Sequence, residues 1–442
     1  MEDKMKLEIK LISREFIKPS IPTPLHHKNI KLSLIDQLFP AYHTPLLLYY
    51  NAPLNTTLRR LETTTLKSSL SRTLSQFYRL AGRCIDDSTV SCNDEGVPFI
   101  ETHVNSTLIE FLTSLHKPDF LSQLLPPRGQ LISELVPLAF QINVFACGGI
   151  VIGCFMFHKL LDLSSLATFF RYWAALAAQR DLDIVDPSFD PIFKAFPPFP
   201  SMDPVIVVDP PAESPSVDVL AKSFRFTKTA INDLKAMAAT EAYPNPTSFE
   251  TITAFVWENV VAAANIAHEQ VQETTVVSMT INMRPRTNPP LPRDSMGNCV
   301  FDMQTKATRQ GTTFQELVWE IHGSVSEAKS IVEKFQGVNG AEMIREYRMV
   351  AKQIDKECHP NVYRVTSWCK LGLNDADFGF GKLNLMIPIA GKVPKRLRNK
   401  IAFTDYEDDL NGQGIEMWLF LEEKEMQVLL TNPRFLEFAS PS

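Results

Sequence analysis

Apolar and polar positions follow two rhythms along this chain, and the switches between them mark out its elements. Within Leu61–Tyr78, the residues Leu66, Leu70, Leu74 and Phe77 recur on one helical face and Gly82 lies just beyond, which predicts an amphipathic helix. Val90–Ile100 reads as two strands around an Asp-Glu-Gly turn. Leu138–Phe157 holds two apolar runs separated by Cys147-Gly148-Gly149, which predicts a hairpin of two buried strands. Pro137, Gln141, Asn143 and the glycine pair argue against a membrane span there. From Leu163 onward the apolar positions return to helical spacing, predicting a helix over Leu166–Ala178.

The second half repeats the mixture. Ser223–Phe226 and Thr274–Asn282 read as strands, and Thr227–Ala239, Ser248–Ala264, Phe314–Ile331 and Ala341–Ile354 as helices. Ile415–Phe420 and Met426–Leu430 read as a closing hairpin. Between the halves, residues 186–216 are rich in Asp-Pro and Pro-Pro pairs, which forbid a long helix or a central strand and predict an extended linker. The expected organisation is therefore residues 1–185, a linker over 186–216, and residues 217–442.

Composition narrows the function. The net charge of −6 does not favour a general nucleic-acid binder. The seven cysteines form no Cys-x-x-Cys, which fits free thiols in a reducing cytosol. Met1–Lys6 carries acids and no apolar stretch follows, so no secretory signal is read and a cytoplasmic protein is expected, with the sequons at Asn55 and Asn105 unused. Zinc-ligand spacing, Gly-x-Gly-x-x-Gly and the phosphate loop are all missing, so no metal and no nucleotide cofactor is expected.

The candidate chemistry sits where the hairpin ends. His158 follows the second apolar run, and Asp162 lies four residues on, before the next helix. A histidine at a strand end is rigidly held yet open to solvent, and its imidazole can serve as a general base near neutral pH. Alone, the pair reads equally well as a strand-end histidine satisfied by backbone groups.

Further segments resolve that ambiguity: Leu74-Ser75-Gln76-Phe77-Tyr78-Arg79-Leu80-Ala81-Gly82-Arg83, Asn282-Met283-Arg284-Pro285-Arg286 with Met296-Gly297-Asn298, Thr366-Ser367-Trp368, and Asp377-Phe378-Gly379-Phe380-Gly381-Lys382. In order and spacing, from about Ile12 to the C-terminus, the chain resembles the plant BAHD acyltransferases, which depend on CoA. The segments Glu15–Pro24, Leu32–Gln37 and Asn288–Pro292 resemble the branch that acetylates alkaloids. Two departures stand out: Phe380 where the family usually has Trp, and Arg79 where it usually has Pro. Phe keeps the aromatic body and loses an N–H donor.

The resemblance implies a mixed α/β (α+β), chloramphenicol-acetyltransferase-like fold of two similar-sized domains with a channel between them, in which a segment around 366–400 packs with the first domain. It implies an enzyme, working as a monomer with no membrane or nucleic-acid partner, that takes acyl-CoA, acetyl-CoA first among the donors, and a small-molecule acceptor. His158 would deprotonate the acceptor as it attacks the thioester. Asp162 would pair with Arg284, a structural or orienting role. Asn298 and Thr366 are candidate donors to a tetrahedral intermediate, with a turn asparagine and a strand threonine as the plainer readings. Trp368 would wall the channel or simply pack in the core. Ser248, opening a helix, would meet the CoA phosphates or act as an N-cap. Lys382, Lys392, Lys395, Arg396 and Arg398 are candidate phosphate partners or merely a solvated face. Asp377, Gly379 and Gly381 read as a structural loop, since no kinase catalytic loop accompanies Asp-Phe-Gly. The rival readings are a malonyl, benzoyl or hydroxycinnamoyl donor, and a relative that binds its ligand without turnover.

Overall fold

Strands Leu138–Phe145 and Ile150–Phe157 pair antiparallel across a turn in which Gly148 adopts φ +86°, a left-handed conformation that glycine adopts without steric cost. The computed structural model that shows this describes residues 8–442 except 40, 52–62, 113–117, 128–135, 181–183, 199–217, 308–311, 338–339, 359–360, 389–392, 394–396 and 409–411. The chain divides into two compact units. The first comprises Met1–Val207, Pro292–Asn298 and Leu371–Lys392; the second comprises Val208–Leu291, Cys299–Lys370 and Val393–Ser442. Two excursions of the second half belong with the first unit: Pro292–Asn298, and Leu371–Lys392, which lies inside the segment around 366–400 that the family resemblance assigns to the first domain.

In the first unit a mixed six-stranded sheet runs Ile9–Ile17, Val97–Val104, Leu138–Phe145, Ile150–Phe157, His43–Tyr50, Leu385–Ile387. Helix Thr63–Gln76 buries Leu66, Leu70 and Leu74 completely. Helix Leu163–Ala177 is apolar almost all round and correspondingly buried. Its Trp173 packs against Phe140 and Phe170 and donates from Nε1 to the Leu66 carbonyl at 3.1 Å. Such a buried indole needs a partner for its N–H.

The second unit is built on a mixed seven-stranded sheet: Val300–Ala307, Thr275–Asn282, Val362–Ser367, Lys400–Asp408, Gly412–Glu422, Val219–Phe226, Ser440–Pro441. Helices Lys228–Ala238, Ser248–Ala267 and Phe314–Phe335 contribute apolar faces to one core that includes Phe224, Phe255, Trp257, Met279, Ile401 and Leu419. Among the described residues, no helix is long and apolar enough to cross a membrane.

Three expectations are corrected. Val90–Ile100 does contain strands, but Thr89–Ser91 pairs with Asn29–Lys31 and Arg83–Asp86, whereas Val97–Val104 joins the large sheet, so no hairpin forms. The closing hairpin is instead Lys400–Asp408 with Gly412–Glu422, and Glu423–Leu429 is a helix. Its capping box, Glu422 with Glu425, satisfies the first-turn N–H groups that a strand would have paired sideways. Finally, the start of the Pro-rich stretch is not an extended linker. Asp190–Ala195 is a short helix with Pro191 in its first turn, where the missing N–H costs nothing, and Ile192 and Phe196 are buried. Residues 199–216 of that stretch lie outside the described residues.

Gly153, mid-strand in the hairpin, is a tight position. A Cβ there would sit 2.0 Å from the Leu124 carbonyl oxygen, a backbone atom with little room to retreat. Gly153→Ala is expected to destabilise the protein by roughly 3 kcal/mol, the upper part of the usual overpacking range. A denaturation midpoint unchanged from wild type would show that the Leu124 turn yields freely.

Candidate active site

His158 is the first residue past the strand Ile150–Phe157, and its backbone is held on both sides. Its N–H donates to the Tyr42 carbonyl at 2.9 Å, and its own carbonyl accepts from Asn298 Nδ2 at 2.9 Å. The imidazole stacks on Phe39, with centroids 4.8 Å apart and planes 11° from parallel, and Tyr42 tilts against it at 5.4 Å. The residue is half-buried. The ring is therefore aimed by aromatic walls and by main-chain bonds, while part of it stays accessible.

Asp162 is buried and caps the helix Leu163–Ala177: its Oδ1 accepts from the Ser165 N–H at 2.9 Å. Ser165 extends the contact. Its Oγ donates to the Gly297 carbonyl at 2.8 Å and accepts from the Gly297 N–H at 3.1 Å. The same helix holds the 292–298 excursion through Asp294, which bonds Thr168 Oγ1 at 3.0 Å and pairs closely with Arg171. Gly297 has φ +124°, and a Cβ there would press on the Asp36 carboxylate at 3.3 Å.

Asp36 is the residue sequence reasoning passed over. It lies in the short helix Leu34–Leu38, capped by Ser33, and is buried. Its Oδ1 accepts from the Asn298 N–H at 2.7 Å and from Asn298 Nδ2 at 3.0 Å; its Oδ2 accepts from Ser33 Oγ at 2.7 Å. Burial pushes its carboxyl up to about 6, and the Asn298 and Ser33 hydrogen bonds pull it back only in part. The signal that could have found it is Ser33-x-x-Asp36, the form of a helix-capping box. Lys159, next to His158, is a second charged residue that is buried here. Its Nζ donates to the Phe39 carbonyl at 3.2 Å, with the Gln37 carbonyl at 3.5 Å and the Asp87 carboxylate at 3.6 Å.

The structure places the other expected residues as follows. Both Asn298 amide hydrogens are directed at Asp36 and at the His158 carbonyl, so Asn298 holds backbone here and does not offer a donor to a reacting oxygen. Asp377 Oδ1 accepts from the N–H groups of Gly379 and Gly381 at 2.8 and 3.0 Å, and both glycines have positive φ, so this loop closes on itself. Phe380 stacks on Phe378 and meets Tyr50 edge-on. Lys382 is exposed in the same unit.

Arg284, Thr366, Trp368, Ser248 and Arg398 belong to the second unit. Arg284 is 1% exposed in the turn Arg284–Arg286, with its N–H on Asn282 Oδ1 at 3.0 Å. Thr366 sits within strand Val362–Ser367, and the Trp368 N–H donates to the Phe403 carbonyl at 2.8 Å. Ser248 is not the cap of its helix. Thr247 is, in a capping box with Glu250, whose carboxylate puts negative charge at the end proposed for phosphate. Arg398 is already engaged, 2.7 Å from Glu425 and 3.1 Å from Glu422, and so does not serve as a free phosphate partner. Lys392, Lys395 and Arg396 lie outside the described residues. Among the described residues one trio, His268, Glu422 and Glu425, has the spacing of metal ligands, but the Arg398 guanidinium already supplies the cation on those carboxylates.

Known proteins resemble this chain along nearly its whole length. Residues 7–436 match the model of the transferase family. Stemmadenine O-acetyltransferase of Catharanthus roseus is 34% identical over 438 residues, covering 96% of this chain and 97% of that protein. Vinorine synthase of Rauvolfia serpentina is 34% identical over 436 residues, again covering 96% and 97%. The crystal structure of vinorine synthase superposes with a TM-score of 0.79 at 32% identity over 98% of each chain. The fold also matches TRI101 of F. sporotrichioides, crystallised with coenzyme A and T-2, with a TM-score of 0.70 at 15% identity over 93% of this chain and 99% of that one. The match along nearly the whole chain shows that this protein belongs to the transferase family, as one of its BAHD acyltransferases that use acyl-CoA as cosubstrate.

Proposed function

We propose that the protein transfers an acetyl group from acetyl-CoA to a hydroxyl group of an alkaloid-like specialised metabolite, with His158 as general base. The observation that carries this reading is the half-buried imidazole, held from the backbone and stacked on Phe39, at the end of a rigid strand. In the reaction, the acceptor oxygen attacks the thioester carbonyl as His158 takes the hydroxyl proton. The tetrahedral intermediate collapses with cleavage of the carbon–sulfur bond. The CoA sulfur leaves with the electron pair and receives the proton from the imidazolium, giving an acetyl ester and free CoA. General-base assistance of this kind contributes roughly 10²–10⁴ in rate. Asp162 supports the step by fixing the helix that follows the His158 turn. The acetyl donor and alkaloid-like acceptor follow the names of the relatives, the acetyltransferase of stemmadenine and that of salutaridinol in Papaver somniferum, the latter 30% identical. A cytoplasmic monomer is proposed with it, in keeping with the free thiols among the described cysteines.

The test is purified protein with acetyl-, malonyl-, benzoyl- or hydroxycinnamoyl-CoA, each against stemmadenine and salutaridinol. Thiol release and the mass of the ester are read. The expected result is release with acetyl-CoA, and preference for another donor would overturn the acetyl assignment. Absence of thiol release with every one of these donors would support the non-catalytic reading.

Transfer is expected to be direct. Burial pushes the thiols of Cys84 and Cys369 up to about 12 and of Cys92 up to about 11, and raises the fully buried Cys154 further, so none of these is a thiolate at neutral pH. Double-reciprocal plots at several fixed acceptor concentrations are expected to intersect. Parallel lines, or an acetylated protein found by intact mass after donor alone, would require a covalent intermediate.

A further inference from the structure

The segment Ser33–Phe39 is attached to His158 by three routes. Asp36 Oδ1 takes both the main-chain N–H and the side-chain amide of Asn298, and the same amide nitrogen bonds the His158 carbonyl. Phe39, at the end of the same short helix, stacks on the imidazole. Lys159, the neighbour of His158, donates to the Phe39 carbonyl. The 297–298 turn that Asp36 grips is bonded in turn to Ser165, whose N–H is capped by Asp162. One buried carboxylate thus lies at the junction of the strand end, the following helix and the aromatic wall.

We propose that Asp36 is a positioning residue for catalysis: through Asn298 and the Ser33–Phe39 segment it fixes where the His158 imidazole stands. This rests on the assignment of His158 as the base. A contribution to fold stability alone does not account for Asp36. An ionised carboxylate in this environment is disfavoured by its burial, and the three hydrogen bonds it accepts from Asn298 and Ser33 offset that cost only in part. What the carboxylate provides is geometry. A single oxygen accepts two N–H groups of one residue and leaves the other oxygen for Ser33, so the Asn298 side chain has one orientation. Displacement of a reacting group by about 1 Å can cost about 10²-fold in rate.

The experiment reads the ring itself, so it does not depend on finding the acceptor. In protein labelled at histidine ¹³Cε1, the His158 cross-peak is assigned among the nine histidines by its loss in His158→Gln. Asp36→Ala and Asn298→Ala are each expected to move that cross-peak, because the Phe39 ring current acts on it, while most other histidine peaks stay in place. The double variant should move it no further than the larger single change. Asp36→Asn keeps an oxygen facing Asn298 and is expected to restore the wild-type position. If Asp36→Ala does not fold, Asn298→Ala carries the same test. An unmoved His158 peak in folded Asn298→Ala or Asp36→Ala overturns the proposal, as does Asp36→Asn behaving like Asp36→Ala. Equal movement of all histidine peaks also overturns it, since that would mean general loss of packing. Thiol release from acetyl-CoA with stemmadenine supplies the second readout: kcat in Asp36→Ala is expected to fall about 10²-fold with the KM for acetyl-CoA unchanged. A KM that rises with kcat unchanged overturns the positioning role. Full turnover in His158→Ala would defeat the assignment of the base instead, and leaves the spectral result standing as a statement about geometry.

Discussion

His158→Ala is expected to lose about 10²-fold or more in kcat while remaining folded. The reasoning is local. Two bonds that tie the residue to its surroundings, to the Tyr42 carbonyl and from Asn298 Nδ2, are made by its main chain and survive the substitution. What is lost is the imidazole and its stacking on Phe39. The ring is half-buried, so its removal leaves a small space that solvent can reach. The variant should therefore keep the wild-type far-UV dichroism and melt within a few degrees of it. Turnover should drop because two titratable neighbours of the strand end are engaged elsewhere: His43, opposite Phe157, meets the Val136 carbonyl through Nε2 at 2.8 Å, and Asp36 is committed to Asn298 and Ser33. A variant that keeps near wild-type kcat with a normal dichroism spectrum would remove His158 from the chemistry.

The parts of this fold that local sequence announced are those whose determinants are local. The glycine pair at 148–149 had to be a turn, and the apolar runs on either side had to be strands, so the location of His158 followed. Leu66, Leu70 and Leu74 spelled out their helix for the same reason. Where the sequence misled, the deciding contact was of another kind. Met426 to Leu430 looks like a strand because it is short and apolar, but Met426 and Leu429, three apart, are the buried positions, and the capping pair Glu422 and Glu425 uses glutamate where Ser or Thr is the usual signal. The support behind His158 was the least legible. Asp36 and Asn298 are 262 residues apart, and neither carries a periodicity or spacing that points to the other. A carboxylate three residues after Ser33 in a five-residue helix reads, in one dimension, as no more than a capping partner. Asn298 stayed open between an oxyanion donor and a turn asparagine for a related reason: the hydrogen bonds that engage its amide are set by tertiary structure.

Asp162 separates two contributions that its sequence position confounds. As the cap of Leu163–Ala177 it satisfies the Ser165 N–H, and losing such a cap costs about 1 kcal/mol. As a buried charge it needs a compensating partner, and removing one member of a buried ion pair costs about 3–5 kcal/mol. Alanine removes both contributions; asparagine removes only the charge, because its side-chain oxygen still accepts from Ser165. If the charge matters, Asp162→Asn and Asp162→Ala should both lower stability by several kcal/mol, with asparagine milder by about the value of the cap. If the cap is the whole contribution, Asp162→Asn should denature at the wild-type midpoint and Asp162→Ala about 1 kcal/mol earlier. Activity then divides the outcomes again. The Asp162 cap, Ser165, Gly297 and Asn298 lead to the His158 carbonyl, so a variant that loses the cap should lose kcat as the turn loosens, and asparagine should restore it. An Asp162→Asn protein of unchanged stability and no activity would contradict both roles, and would place the carboxylate itself among the groups that act on the imidazole.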